Sequence, residues 1–375
     1  MTENRTEDAY EEPIRQMTVC NACRYCEGIC PVWDAMERRR VFHRQDVVYM
    51  ANLCHDCQDC YTVCPYTPPH PFKINIPKMM SEIRKSTYKD YTSPKKLAVF
   101  FENQTRYSLM TIAVSLTLVS VFVLLIGSPS RLVAQHLGTG SFYAIVPSLA
   151  IDIVGIVAGL YVIGMWLYGV KRYWNDTAGP LRLVFNPGAL WGAATEAFEQ
   201  TWFKGGGPGC MYPDPKSDKK PSYRRYYLHA LVFFGFTLDL IATISATVLQ
   251  DGLGILPPYP IVSGPVLFGI AGGALIIPGA LVLLFVDVRS KPTTFESMAS
   301  LDRWFLVFLI LVTLTGFGTL LLRTTAGMGS LFTLHLGLVL ALFLTAPYGK
   351  FIHFVYRYVA LVVNRIEAQR EESSS

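Results

Sequence analysis

Residues 20–31 read CNACRYCEGICP, and residues 54–65 read CHDCQDCYTVCP. Both follow one spacing, Cys-x2-Cys-x2-Cys-x3-Cys-Pro. It is filled by Cys20, Cys23, Cys26, Cys30 and Pro31, and again by Cys54, Cys57, Cys60, Cys64 and Pro65. In such a run the cysteines at i, i+3 and i+6 wrap three corners of one [4Fe–4S] cubane, and the fourth, before proline, ligates another cluster. The expected ligand sets are therefore crossed: Cys20, Cys23, Cys26 and Cys64 for cluster 1, and Cys54, Cys57, Cys60 and Cys30 for cluster 2. Zinc is the competing reading. It takes four ligands per site, usually as separated Cys-x2-Cys pairs, and does not account for two identical runs each closed by proline. The stretch between the runs, AMERRRVFHRQDVVYMAN (35–52), reads as helical. His43, His55 and His70 are expected to be solvated or capping, because the cysteines already complete both clusters.

Outward from these runs the chain changes character. Eight of its nine cysteines precede residue 65, and the acidic opening MTENRTEDAYEEP carries no apolar segment. The N-terminal part is thus expected in the cytoplasm, where clustered cysteines read as metal ligands rather than disulfides. Of the 375 residues, 51% are hydrophobic and 16% charged, against about 25% charged in soluble domains. Six apolar stretches, near 107–127, 143–170, 227–249, 262–286, 303–322 and 331–359, each approach the ~20 residues that cross a bilayer. The fold class expected is mainly α. A helical two-cluster ferredoxin-like domain (1–100) precedes a six-span, cytochrome b-like membrane domain (101–375) with a cytoplasmic loop at 171–226. That loop holds Lys171, Arg172, Arg182, Lys204, Lys216, Lys219, Lys220, Arg224 and Arg225, whereas the opposite loops hold only Arg131 and Arg323. Positive residues favour the inner side, so the loop and both termini are expected there, in the bacterial inner membrane. The net charge of +5 belongs to these juxtamembrane residues. No basic run interleaves with aromatics, so lipid and not nucleic acid is the expected contact. Within the loop, Asn186-Pro187 predicts a capped helix start, and the apolar segment 187–203 is expected to lie on the membrane or against the cluster domain. Cys210, in GGGPGCMYP, is assigned no ligand role.

Ionisable residues inside spans are functional candidates by default. His229 opens span three, and His335 and His353 lie in span six, 18 residues apart. On one helix that is five turns, so both would share a face and stand ~27 Å apart along the axis. His353 then matches His229 in depth, and the two are expected to ligate a haem b. No span supplies a partner at the depth of His335, and His136 lies in an outer loop. One haem is therefore expected, with two as the alternative. His335 is a candidate for quinone binding or proton handling, with Asp239 and Asp152. For each aspartate, a structural hydrogen bond stands as the alternative.

The doubled runs, continued as CPYTPPHPFKINIP (64–77), followed by six spans and the GGGPGCMYP loop, resemble the tricarballylate- and citrate-utilisation protein B family over essentially the whole chain. The resemblance implies an electron-transfer oxidoreductase subunit without a dehydrogenation site of its own. It implies electrons taken from the reduced FAD of a partner tricarballylate dehydrogenase and passed through the clusters and haem b to membrane quinone. The absence of a G-x-G-x-x-G opening a βαβ unit agrees with FAD on another chain. The last span also looks like the gamma subunit of respiratory nitrate reductase, where two histidines at this spacing hold two b haems. Here Asp239 stands ten residues after His229 where that pattern has a second histidine. A heterodisulfide-reductase-like subunit with a different donor is the alternative within the class, and a membrane redox sensor the alternative outside it.

Overall fold

The computed structural model describes residues 3–126, 129–180, 183–184, 186–200, 224–289 and 296–373. Among them the structure is helical, with no strand. The N-terminal elements are α1 (Glu3–Cys23), α2 (Pro31–Glu37), α3 (Arg44–Leu53), α4 (Asp59–Val63) and α5 (Ile76–Tyr91). Local chemistry sets their ends. Pro31 opens α2, where its missing N–H costs nothing. The His43 backbone N–H donates to Asp46 (2.9 Å), closing a capping box on α3. Asn75 accepts from Lys78 N–H to cap α5.

Six helices long and apolar enough to cross a membrane follow, at Gln104–Ile126, Ser148–Thr177, Arg224–Gly252, Gly264–Phe285, Met298–Leu321 and Met328–Tyr348. They lie within α6 (Gln104–Ile126), α7 (Ser148–Thr177), α9 (Arg224–Thr247), α10 (Gly264–Arg289), α11 (Glu296–Leu321) and α12 (Met328–Thr345), with one-turn extensions closing two of them. Leu118 and Leu125 on α6, and Ile156, Val157 and Leu160 on α7, are exposed. An apolar exterior on helices of this length is compatible with a multi-pass membrane protein. Between α7 and α9 lies α8 (Pro187–Glu199), whose Asn186 side chain accepts from Gly188 N–H as the sequence led one to expect. Cys210, and Arg182, Lys204, Lys216, Lys219 and Lys220 of the Lys- and Arg-rich loop, lie outside the described residues.

The last apolar stretch is not one helix. After α12 the chain makes a short turn at Ala346–Tyr348, reaches Gly349 in an extended conformation, and starts α13 (Ile352–Glu372). Pro347 explains the stop, since it offers no N–H and its ring clashes with the preceding turn. The expectation of a single span over 331–359, with His335 and His353 on one face, is therefore corrected. α13 packs instead into the core that holds the cysteines: Val359 to Val363 are buried together with Val47, Val48, Tyr49 and Met50 of α3, and with Ala189 and Ala193 of α8. Arg39, only 8% exposed, ties it down with hydrogen bonds to Asp46 (2.5 Å) and to both carboxylate oxygens of Glu367 (2.6 and 3.2 Å).

Candidate iron–sulfur and haem sites

The first run begins inside α1, which holds Cys20 and Cys23, and ends at Cys30 just before α2; the second starts at Cys54, at the end of α3, and places Cys60 in α4. Arg24, Asp56 and Gln58 adopt left-handed backbone conformations (φ 55°, 71° and 66°), each at a cost on the order of 1 kcal/mol for a non-glycine residue. Such residues bend the chain sharply between successive cysteines. One cavity is lined by Cys20, Cys26, Cys30, Cys54, Cys57, Cys60 and Cys64. The eight described cysteines form no disulfide.

The thiols fall into two neighbourhoods. Burial pushes Cys20 up to about 12, helped by Cys64, Cys26 and Cys23. Burial, then Cys64 and Cys23, push Cys26 up to about 11. Cys30 is pushed up to about 12 by burial and by Cys54, while Cys60 rises through burial and then Cys30, Cys54, Cys57 and Cys26. The two neighbourhoods adjoin where Cys26 Sγ approaches Cys60 C=O (3.9 Å), and the cysteines that act most on each thiol are those of the crossed set expected for it. Among the described residues no three His, Cys, Asp or Glu side chains converge on a single-ion position, whereas a cubane places each thiolate on a different iron.

The polar lining fits the same group. His55 is 8% exposed, neither ring nitrogen has a protein partner, and the Gln58 amide nitrogen is likewise buried without an acceptor. Unpaired buried donors cost about 1–3 kcal/mol each, and both side chains line the cavity, where sulfide acceptors would satisfy them. For His55 this corrects the expectation of a solvated or capping histidine. Burial, and then Arg357, Arg225 and Arg84, hold it well below the usual imidazole range and so neutral. The other two keep simple roles. His43 precedes α3 as its cap, and His70 accepts from Phe72 N–H (3.1 Å) in an aromatic group with Tyr66 and Phe72.

The membrane histidines divide as follows. His229 on α9 has Nδ1 3.0 Å from Gln200 Oε1. His353 on α13 donates from Nδ1 to Lys350 C=O (2.7 Å). In both, an oxygen at Nδ1 fixes the tautomer with its lone pair on Nε2, the arrangement of a metal-ligating imidazole. Burial, then the Lys350 charge and the neighbouring His229 ring, push His353 well below the usual range. The two imidazoles therefore share one neighbourhood, His229 on the helix expected and His353 on α13 rather than on the last span. His335 stands apart on α12, with Nδ1 3.0 Å from Thr315 Oγ1, a hydroxyl that itself donates to Leu311 C=O (2.8 Å). Asp152 accepts from Gln250 Nε2 (3.3 Å), which also donates to Asp251. Asp239 packs over Gly272 at the α9–α10 contact, where any Cβ would collide with its carboxylate. His335 and the two aspartates thus make separate contacts. His136 Nε2 lies 2.8 Å from Arg131 C=O.

Sequence reasoning missed the arginines that join these parts. Arg225 donates to Asp56 C=O (3.1 Å) and Arg357 to Leu53 C=O (2.9 Å). Each is four residues, one helical turn, from a candidate haem ligand: Arg225 from His229, and Arg357 from His353. The i, i+4 spacing was available in the sequence, but the carbonyls they reach were not.

A ferredoxin-like set of cysteine loops joined to six membrane-length helices defines an iron–sulfur electron-transfer protein. The family model for citrate utilization protein B matches residues 102–374, and that for its Fer4-like domain matches residues 13–90. The citrate utilization protein B of Escherichia coli is 38% identical over 364 residues, covering 96% of this chain and 93% of that protein. The chain belongs to the citrate utilization protein B family. No solved structure matches it.

Proposed function

We propose that the chain carries electrons from the reduced FAD of a partner dehydrogenase, tricarballylate dehydrogenase by resemblance, to membrane quinone. The observation that carries this reading is the pair of helical turns Arg225–His229 and His353–Arg357. Their arginines touch the loop of the second cysteine run, and their imidazoles, one turn away, share one neighbourhood. Bound at these positions, two [4Fe–4S] clusters and one haem b would supply one-electron carriers between a two-electron donor and a quinone. Cys20, Cys23, Cys26 and Cys64 would hold cluster 1, and Cys54, Cys57, Cys60 and Cys30 cluster 2. His229 and His353 would present Nε2 to haem iron. Tyr25, between Cys23 and Cys26, is 67% exposed, an accessible apolar side chain that suits the first run to face the donor. The Lys and Arg distribution supports the inner membrane, with the cysteine domain and both termini cytoplasmic.

The test is the dithionite-reduced b-type band of the purified protein. His229→Ala and His353→Ala should each abolish it, and His335→Ala should keep it while slowing quinone reduction. Loss in His335→Ala with retention in His353→Ala would overturn the haem assignment.

A further inference from the structure

The loop that carries Cys54 and Cys57 is gripped by three arginines from three helices. Arg84 of α5, 8% exposed, donates to Ala51 C=O (2.9 Å) and Cys54 C=O (2.7 Å). Arg225 of α9 reaches Asp56 C=O and Arg357 of α13 reaches Leu53 C=O. Arg39 offers the contrast, because its charge is matched by the carboxylates of Asp46 and Glu367. The acids that act on the clamp are mostly matched elsewhere. Asp302 is bridged to Lys350 (2.6 Å) and Glu196 to Arg365 (2.9 Å). Among the described residues Arg84 and Arg357 have no carboxylate at ion-pair distance, and the loop's own carboxyl, Asp56, faces Arg84 and Arg225. The loop therefore sits beside buried guanidinium charge.

From this the geometry points to a cationic clamp, Arg84, Arg225 and Arg357, that raises the reduction potential of the cluster held by Cys30, Cys54, Cys57 and Cys60 above that of its neighbour and makes it the exit cluster. The inference rests on the electron route proposed above. Reduction adds one negative charge, which nearby cations stabilise in a medium of low dielectric, and cluster potentials follow net charge, hydrogen bonding and exposure. In the favoured step one electron moves from the first site to the second. The first is oxidised by one, the second reduced by one, no bond breaks and no proton is required. The flavin donor restores the first and the haem side drains the second. The three arginines act as positioning residues through the loop and its field.

The experiment is an anaerobic potentiometric titration followed by electron paramagnetic resonance on the full chain, for wild type, Arg84→Gln and Arg357→Gln, each with its Lys counterpart. Each Gln variant should lower the higher of the two cluster midpoint potentials and leave the lower one in place. The Lys variants, which keep the charge but lose the fork of hydrogen bonds, should stay near wild type. Two cluster signals with unchanged midpoints in the Gln variants, or a shift of the lower one alone, would overturn the clamp while sparing the route. A wild-type sample without two [4Fe–4S] signals would overturn the cluster reading and the clamp with it.

Discussion

The two cysteine runs have one spacing and two surroundings. The first carries an exposed aromatic side chain, Tyr25, between two of its cysteines. The second is enclosed by α5, α9 and α13, and its backbone carbonyls are held by Arg84, Arg225 and Arg357. A motif fixes which metal group is held, because ligand spacing is covalent. It does not fix what that group does, because potential and access come from the tertiary neighbours. On the electron route proposed above, this asymmetry gives the pair a direction, with an accessible side for arrival and an enclosed side next to the histidine pair for departure.

The largest expected effect breaks the comparison at its root. Cys20→Ser and Cys54→Ser should each abolish electron flow to quinone, but for different reasons. Cys20→Ser should leave the haem band reducible by dithionite and not by the flavoprotein, with the membrane helices still inserted. A Cys20→Ser protein still reduced at wild-type rate by its donor would remove the first site from the path.

Orientation gives an all-or-none prediction. In a cysteine-depleted chain, membrane-impermeant labelling from the outside should mark single cysteines placed within 130–140 or 252–260. It should miss Ser217→Cys, a position outside the described residues. Outside labelling of Ser217→Cys would reverse the two faces, and with them the side on which both cysteine runs meet their donor.

Two further changes probe the enclosed side. Arg39→Ala removes the cation of the buried Asp46 and leaves Glu367 only its longer pair with Arg38 (3.7 Å), and removal of one partner from a buried pair costs about 3–5 kcal/mol. Hydrogen exchange along α13 should rise sharply, because this network anchors the helix to the second run. Unchanged protection would show that apolar packing alone holds it. A smaller effect is expected at Gly169, where a Cβ would collide with the Tyr356 hydroxyl at the α7–α13 contact. Gly169→Ala should lower stability by about 1–3 kcal/mol through overpacking, read as a fall in the unfolding midpoint with cluster content unchanged.

What was legible in the sequence follows the same division. The gathering of the two cysteine runs round one cavity was readable because the spacing encodes it, and the six helices because apolar length does. His229 and His353 were paired from a depth argument that assumed one continuous last helix. Pro347 and Gly349 marked the break and were read through, because the apolar composition continues past them. The pairing of neighbourhoods nevertheless emerges, because α13 begins close to where the longer helix would have reached. His55 was misjudged because its position between cysteines says nothing of burial. Arg84 was invisible, since its bonds to Ala51 and Cys54 span about thirty residues, and no periodicity reports such contacts.

The central claim is that both runs hold cubanes feeding a single haem. Iron, acid-labile sulfide and haem per chain, measured together on iron-replete protein purified without oxygen, test it most directly. The account predicts about eight irons in clusters, about eight sulfides and about one b-type haem. Zinc with no sulfide would contradict the cluster assignment, and close to two haems per chain would contradict the single site at His229 and His353.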